Sequence, residues 1–121
     1  MDGKASGPGK MVWRVKKDGE WKTSSYEGDF KDGNFHGRGV LVFPDGDRYE
    51  GDFKDGNYHG RGVFVAANGK RYAGEWRDNF PQGSGTFYSG GDVYSGTWSN
   101  GCFQQGNRQA WVQATKSSCG F

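Results

Sequence analysis

The side chains best suited to chemistry are two histidines and two aspartates that recur at equivalent places in the chain. His36 and His59 are 23 residues apart, and so are Asp29 and Asp52. A histidine beside a carboxylate could act as a general acid–base pair. A single catalytic site does not come in two equivalent copies, so the recurrence favours a structural cross-strand role for both pairs. The sequence therefore predicts no catalytic residue.

Metal and nucleotide sites are disfavoured on similar grounds. Successive copies of a two-stranded unit lie roughly 10 Å apart, too far for one His and one Asp from each copy to share a metal ion. The Asp-Gly-Asp sequence at 45–47 lacks the ligand spacing of a calcium loop. The His-Gly-Arg-Gly sequence at 36–39 is not a phosphate-binding glycine loop. We expect no metal, no cofactor and no small-molecule substrate.

Composition narrows the class of protein further. The chain has 121 residues, the usual size of one domain. Its 16 basic and 14 acidic residues give a net charge of +2, too little to attract nucleic acid strongly. Only 32% of residues are hydrophobic while 17% are aromatic, and 23 are glycine, which favours turn-rich β-structure. No apolar run reaches the roughly 18 residues of a membrane-spanning helix, and no secretory leader is recognised.

A repeated segment accounts for most of the chain. YEGDFKDGNFHGRGV begins at Tyr26, and near-copies begin at Tyr49 and Tyr72, each 23 residues after the last. A degenerate fourth copy, YSGTWSNGCFQQGN, begins at Tyr94. We predict four repeats, at 26–48, 49–71, 72–93 and 94–106. An amino-terminal half-repeat or extra hairpin at 1–25 would precede them, and a carboxy-terminal capping segment at 107–121 would follow.

Each repeat has the turn and the alternation of a β-hairpin. Asp55-Gly56 is the residue pair of a type I′ turn. Counting outward from it predicts these cross-strand pairs: Phe53 with Tyr58, Asp52 with His59, Gly51 with Gly60, Glu50 with Arg61, and Tyr49 with Gly62. The other copies give equivalent pairs: Asp29 with His36, Glu27 with Arg38, Tyr26 with Gly39, Tyr72 with Gly85, and Gly74 with Gly83. Each tyrosine ring would then cover the bare backbone of a glycine.

A second set of turns joins one repeat to the next, at Asp45-Gly46 and Asn68-Gly69. A three-residue loop with Gly46 in the left-handed conformation keeps Leu41 on the aromatic face. The predicted fold is all-β, a single-layer elongated antiparallel meander of hairpins with a short carboxy-terminal cap. Two strands per repeat would make the array about 40 Å long.

The pattern YEGDFKDGNFHGRGVLVFPDGDR resembles the MORN (membrane occupation and recognition nexus) repeat, in which Tyr-x-Gly-x-aromatic precedes a Gly-x-Gly and a closing Asp-Gly. The resemblance spans about 26–106. The third copy departs from the pattern at Asn79, Pro81 and Gln82, and the fourth departs at Gln104 and Gln105, which leaves the second strand of the fourth repeat open. The resemblance implies scaffolding or protein binding, membrane-lipid binding in some members, and no catalysis by the repeats themselves.

Ten aromatic side chains are predicted to share one face of the sheet: Tyr26, Phe30, Phe35, Tyr49, Phe53, Tyr58, Tyr72, Trp76, Tyr94 and Trp98. Stacked on one another they would form the core, and any left accessible in a groove would suit an extended peptide or a helix. We predict a non-catalytic scaffold that binds a protein partner, or a second copy of itself, through this groove or an edge strand.

Two alternatives to this function remain open. The first is a peripheral membrane module that binds anionic lipid headgroups weakly, through five cations: Lys10, Arg14, Lys16, Lys17 and Lys22. The second is a regulatory fragment of a larger enzyme. The sequence does not predict a cellular compartment.

The carboxy-terminal tail is expected to fold back over the last hairpin. Cys102 and Cys119 either form one disulfide there or remain free thiols. A helix that begins at Asn107 would place Ala110, Trp111 and Ala114 on one face, against Tyr94 and Trp98. An extended edge strand is the competing prediction for this segment.

Overall fold

The computed structural model describes residues 6–121, so the first five residues of the predicted half-repeat at 1–25 lie outside the described part. Ten strands follow one another along the chain: β1 (Gly7–Lys17), β2 (Glu20–Lys31), β3 (Asn34–Val42), β4 (Arg48–Lys54), β5 (Asn57–Val65), β6 (Arg71–Arg77), β7 (Phe80–Ser89), β8 (Asp92–Trp98), β9 (Cys102–Gln105) and β10 (Arg108–Trp111). The first eight form one antiparallel sheet in sequential order, and β9 and β10 form a second, two-stranded sheet. The predicted all-β meander is confirmed.

Both kinds of predicted turn are confirmed. Asp55 and Gly56 have φ values of 50° and 86°, and a type I′ turn requires positive φ at both positions. In the connecting loop, the Phe43 amide donates to the Asp47 carbonyl at 2.8 Å and so closes a three-residue loop. Gly46 has a φ of 97° in that loop, so it is the left-handed residue that was predicted to keep Leu41 on the aromatic face.

The predicted register within the hairpins is wrong beyond the Phe53–Tyr58 pair and its equivalents near each turn. Phe53 does face Tyr58, but Gly51 then faces Gly62 rather than Gly60, because a bulge gives β5 two extra residues. The observed partners differ from the predicted ones accordingly: Glu50 with Val63, Tyr49 with Phe64, Glu27 with Val40, Tyr26 with Leu41, Tyr72 with Phe87, and Gly74 with Gly85.

The two extra residues of the bulge bend the second strand of a hairpin around a tyrosine ring of the first strand. The rings of Tyr49 and Tyr58 stack with centroids 3.9 Å apart. Tyr58 lies six residues along β5 from Phe64, the residue opposite Tyr49. A straight strand would place those two positions about 20 Å apart, so the ladder bends between them. The first hairpin does the same, with Tyr26 and Phe35 stacked at 3.8 Å. The single-layer sheet is therefore a trough with its rings inside.

The core runs along the inside of this trough. Seven of the ten predicted rings are buried: Tyr26, Tyr49, Phe53, Tyr58, Tyr72, Trp76 and Trp98. Phe30, Phe35 and Tyr94 are partly buried against them. The indole nitrogen of Trp76 donates to the Gly62 carbonyl at 3.1 Å, so burial of this ring leaves its polar atom satisfied.

The predicted helix at the carboxy terminus is wrong, because Arg108–Trp111 form β10 and the residues after it form bends and turns. Asn107 lies in the turn between β9 and β10, and Ala110 pairs with Phe103 across that hairpin. Ala110 is buried while Trp111 is exposed, because neighbouring residues of a strand point to opposite sides. The competing prediction of an edge strand is also only partly met, since β10 pairs with β9 and not with the main sheet.

Candidate functional site

The ten predicted partner-binding rings line the inside of the trough, and most of them contact the chain itself. Tyr26, Tyr49 and Tyr72 have no exposed surface. A Cβ placed on Gly62 would overlap the ring and hydroxyl of Tyr49, which shows how closely this ring covers the opposite strand. The trough is filled by the protein's own side chains, so substitution of a buried ring such as Tyr49 or Trp76 would test folding before it tested binding.

The core tyrosines are hydrogen-bond donors held in the neutral state. The hydroxyls of Tyr26, Tyr49 and Tyr72 donate to backbone carbonyls three residues further along the chain, at 2.7, 2.8 and 3.1 Å. Burial raises the pKa of Tyr49 and of Tyr72, and the nearby carboxylates of Asp52 and Glu75 raise these pKa values further. Burial also raises the pKa of Tyr58. The three hydrogen bonds from these hydroxyls stabilise the folded chain.

The two histidines are not paired with the predicted aspartates. Nδ1 of His36 accepts a hydrogen bond from the Asp55 amide of the next repeat at 3.4 Å. Nδ1 of His59 is buried and has no hydrogen-bond partner among residues 6–121. Within those same residues, no group of three or more His, Cys, Asp or Glu side chains is arranged to hold a metal ion.

Asp52 joins one repeat to the next. Its carboxylate accepts a hydrogen bond from the Arg61 amide at 3.1 Å, within its own hairpin. It also accepts one from the Arg38 guanidinium of the preceding repeat at 3.3 Å. Arg38 was predicted to face Glu27, but the bulge moves it to the neighbouring strand pair, where it lies opposite Asp52.

Exposed apolar side chains gather on the N-terminal hairpin, the name used here for β1 and β2 together. This hairpin extends beyond its neighbour, because Ser25 of β2 already faces Val42, the last residue of β3. Its most exposed large apolar side chains are Trp21 and Val12 on the outer face, at 58% and 55%, and Met11 on the opposite face, at 43%. Such a group on one element is typical of an interaction surface.

The five cations of the lipid hypothesis lie on two different faces of the N-terminal hairpin. Side chains alternate along β1, so Lys17 lies on the same face as Trp13, which stacks on Phe35 inside the trough. Lys22, opposite Val15, shares that face. Lys17 also forms an ion pair with Asp45 at 3.6 Å.

The other three cations share the outer face of the hairpin. The side chains of Lys10, Arg14 and Lys16 point away from the trough, as does Trp21, which lies opposite Lys16. The Arg14 guanidinium and the Lys16 ammonium lie 5.6 and 6.0 Å from the centroid of the Trp21 ring, within cation–π range. Trp21 was not among the residues predicted to bind a partner. It precedes Tyr26, where the first repeat begins, so the repeat pattern gave no signal for it.

The other end of the array is covered by the tail. A disulfide joins Cys102 to Cys119. Phe103 is buried against Trp98, with ring centroids 5.1 Å apart. Arg108 donates to the Val93 carbonyl of β8 at 2.6 Å. The tail therefore packs on the last hairpin. An open cleft of about 810 Å³, lined only by uncharged side chains, separates the disulfide-bonded loop from that hairpin.

The family comparison matches this geometry. The family model of the MORN repeat matches residues 1–15, 26–48, 49–71, 72–93 and 94–101, which together make up most of the chain. No curated protein matches the chain's sequence. Among residues 6–121, none belongs to a helix long and apolar enough to cross a membrane.

Proposed function

The chain belongs to the MORN repeat family, whose repeats are modules for protein and membrane interaction, and we propose that it is a non-catalytic scaffold that binds a protein partner. The observation that carries the proposal is the exposed apolar surface of the N-terminal hairpin, centred on Trp21 and Val12. Tryptophan is among the residues that contribute most to protein interfaces. The buried rings of the trough support this surface and do not themselves contact a partner.

Of the ten rings predicted to bind a partner, three are only partly buried and remain accessible to one. Phe30 of β2 and Phe35 of β3 are partly buried, and they pair near the turn between those strands, remote from Trp21. Tyr94 is partly buried too, and its ring lies under the Arg108 guanidinium at 4.5 Å. These rings are secondary contacts in the proposal, because much of each is already covered by neighbours.

A pair of matched double variants tests the proposal. V12S/W21S removes the two most exposed apolar groups of the N-terminal hairpin, and V65S/Y88S removes two exposed but less accessible apolar groups from β5 and β7. Each serves as bait for affinity capture from the native source, followed by calorimetry with the purified partner. We expect the wild type and V65S/Y88S to retain the same partner and V12S/W21S to lose it, with melting temperatures that differ little. Equal retention by all three proteins would contradict the proposal.

Binding to an anionic membrane surface is the second candidate function. It is favoured by Trp21, an exposed aromatic side chain that lies between the cations Arg14 and Lys16. Sedimentation with vesicles of anionic and of neutral lipid, at low and at high salt, distinguishes this function. Headgroup attraction is screened within about 8 Å at physiological ionic strength, so membrane binding should weaken steeply as salt is added. Equal binding to neutral vesicles would exclude it.

A further inference from the structure

Among residues 6–121, β1 lies at one edge of the eight-stranded sheet. Lys17 and Glu20 close a two-residue turn, and the pairing from there to Gly7 has no irregularity. In such a hairpin the closing pair is hydrogen-bonded and every second pair after it is too, so the odd-numbered residues of β1 bond to β2. The amides and carbonyls of Lys10, Val12, Arg14 and Lys16 therefore point away from the sheet. No strand pairs with them among residues 6–121.

Proline sets one limit of this edge. Pro8 has the same parity as these four residues, and it has no amide proton to donate to another strand. The usable edge therefore runs from Lys10 to Lys16. That is about 20 Å long, which is the length of a common strand.

The same residues place positive charge along the edge. The side chains of Lys10, Arg14 and Lys16 share the outer face, and none of the three has a carboxylate within 4.0 Å among the described residues. Directly opposed residues of neighbouring strands have Cβ atoms about 5 Å apart, so carboxylates on an added strand would reach these cations. A second copy of β1 would oppose like charges, which disfavours self-pairing at this edge.

The charge lies in a row one strand wide. Across β2 from these three cations stand Glu27, Thr23 and Trp21, so the row has no positive neighbour on the sheet side. A narrow row fits an extended chain better than it fits the plane of a membrane.

From the free edge and its charge, we propose that an extended acidic segment of the partner, with Asp or Glu at alternate positions, adds to β1 as a further strand of the sheet. This inference rests on the proposed function and narrows its partner to a chemical class. Backbone hydrogen bonds from the edge supply affinity, and the row of cations selects the acidic sequence.

Amide hydrogen exchange of the full chain tests the inference, with a short peptide that alternates Glu and Thr as the probe. In the free protein, the amides of Lys10, Val12, Arg14 and Lys16 should exchange rapidly. With saturating peptide their exchange should slow by about tenfold or more, as expected for amides that gain a strand partner. The amide of Trp13 bonds to β2 and should be protected in both states. Absence of protection at the four outward amides would overturn the inference.

Two variants separate backbone pairing from charge attraction. Val12→Pro removes one outward amide without changing charge, and Val12→Thr keeps that amide as its control. R14E/K16E reverses two charges of the row, and K54E/K70E reverses two exposed lysines elsewhere. Val12→Pro should bind the peptide about tenfold more weakly than Val12→Thr, and R14E/K16E should bind it about tenfold more weakly than K54E/K70E. Wild-type affinity in folded Val12→Pro would overturn strand addition.

Three further outcomes would also overturn the inference. One is equal protection of the four amides by anionic vesicles, which would indicate a membrane surface. Another is protection that grows with protein concentration alone, which would indicate a second copy of the chain. The last is retention of the captured partner by R14E/K16E bait, which would overturn this inference while leaving the proposed function intact.

Discussion

The hydroxyl of Tyr49 donates a hydrogen bond to the backbone carbonyl of Asp52 at 2.8 Å, and the ring above it lies directly against Gly62 of the next strand. The ring contacts Gly62 and also stacks on Tyr58, so it packs against both parts of β5 on either side of its bend. Equivalent tyrosines in the first and third repeats make the same bond. One tyrosine–glycine contact in each of the first three repeats therefore helps to shape the trough, and this contact can be tested by mutation.

Replacing Gly62 with alanine should destabilise the fold. The added methyl group would overlap the Tyr49 ring and hydroxyl, and Tyr49 is fully buried with no room to move. Overpacking of this kind costs about 1–3 kcal/mol of unfolding free energy, measured by urea denaturation. Gly91→Ala is the control, because a methyl group there would meet nothing within 4 Å. Equal destabilisation by the two variants would show that the tyrosine contact is not responsible.

Stability should fall at alkaline pH. Burial raises the pKa of Tyr49, Tyr58 and Tyr72 in the folded chain above the value of about 10 found in unfolded chains. Their contribution to stability is therefore complete below pH 10 and is lost as the pH rises through the folded-state pKa values. Urea denaturation at a series of pH values should show this fall beginning above about pH 10. In Tyr72→Phe the fall should be shallower, and an unchanged slope would contradict the assignment.

The two histidines should differ in their contribution to stability. Replacing His36 with phenylalanine removes the acceptor of the Asp55 amide, which should cost about 0.5–1.5 kcal/mol. The same change at His59 removes a nitrogen that has no partner among the described residues, so it should cost less. Neither change should alter partner binding, because His36 lies in β3 and His59 in β5, outside the N-terminal hairpin. Thermal melts and the calorimetric binding assay measure the two effects, and the reverse order of stability would contradict the hydrogen-bond assignment.

Reduction of the disulfide should destabilise the carboxy-terminal end. The bridge joins residues separated by 17 positions. In the chain-entropy model a loop of this length contributes about 3 kcal/mol. Adding reductant should therefore lower the melting temperature of the wild type and leave Cys119→Ser unchanged. Two free thiols in denatured protein that was never exposed to reductant would show that the bridge does not form.

The sequence by itself determined the repeat, the strand order and the chemistry of the turns. A period of 23 residues and the Asp-Gly pairs specified an antiparallel meander, because turn geometry is set by a few adjacent residues. The parity argument at Leu41 identified the three-residue loop correctly, since it used only the alternation along one strand. The same local pattern correctly assigned Phe53 to Tyr58, the predicted pair nearest the turn.

The tertiary structure decided the rest. Counting from a turn assumes one residue opposite one residue, and nothing local marks the bulge that moves Gly62 opposite Gly51. The bulge bends β5 over Tyr49 and so stabilises the fold by burying this ring. That burial depends on Phe53 of β4, Tyr58 of β5 and Trp76 of β6. The tail likewise has the local pattern of a helix around Ala110. In the structure Ala110 pairs with Phe103 in a hairpin, and a disulfide joins Cys119 to Cys102. Burial of a ring and pairing of a strand are both set by contacts between distant parts of the chain, which local sequence does not encode.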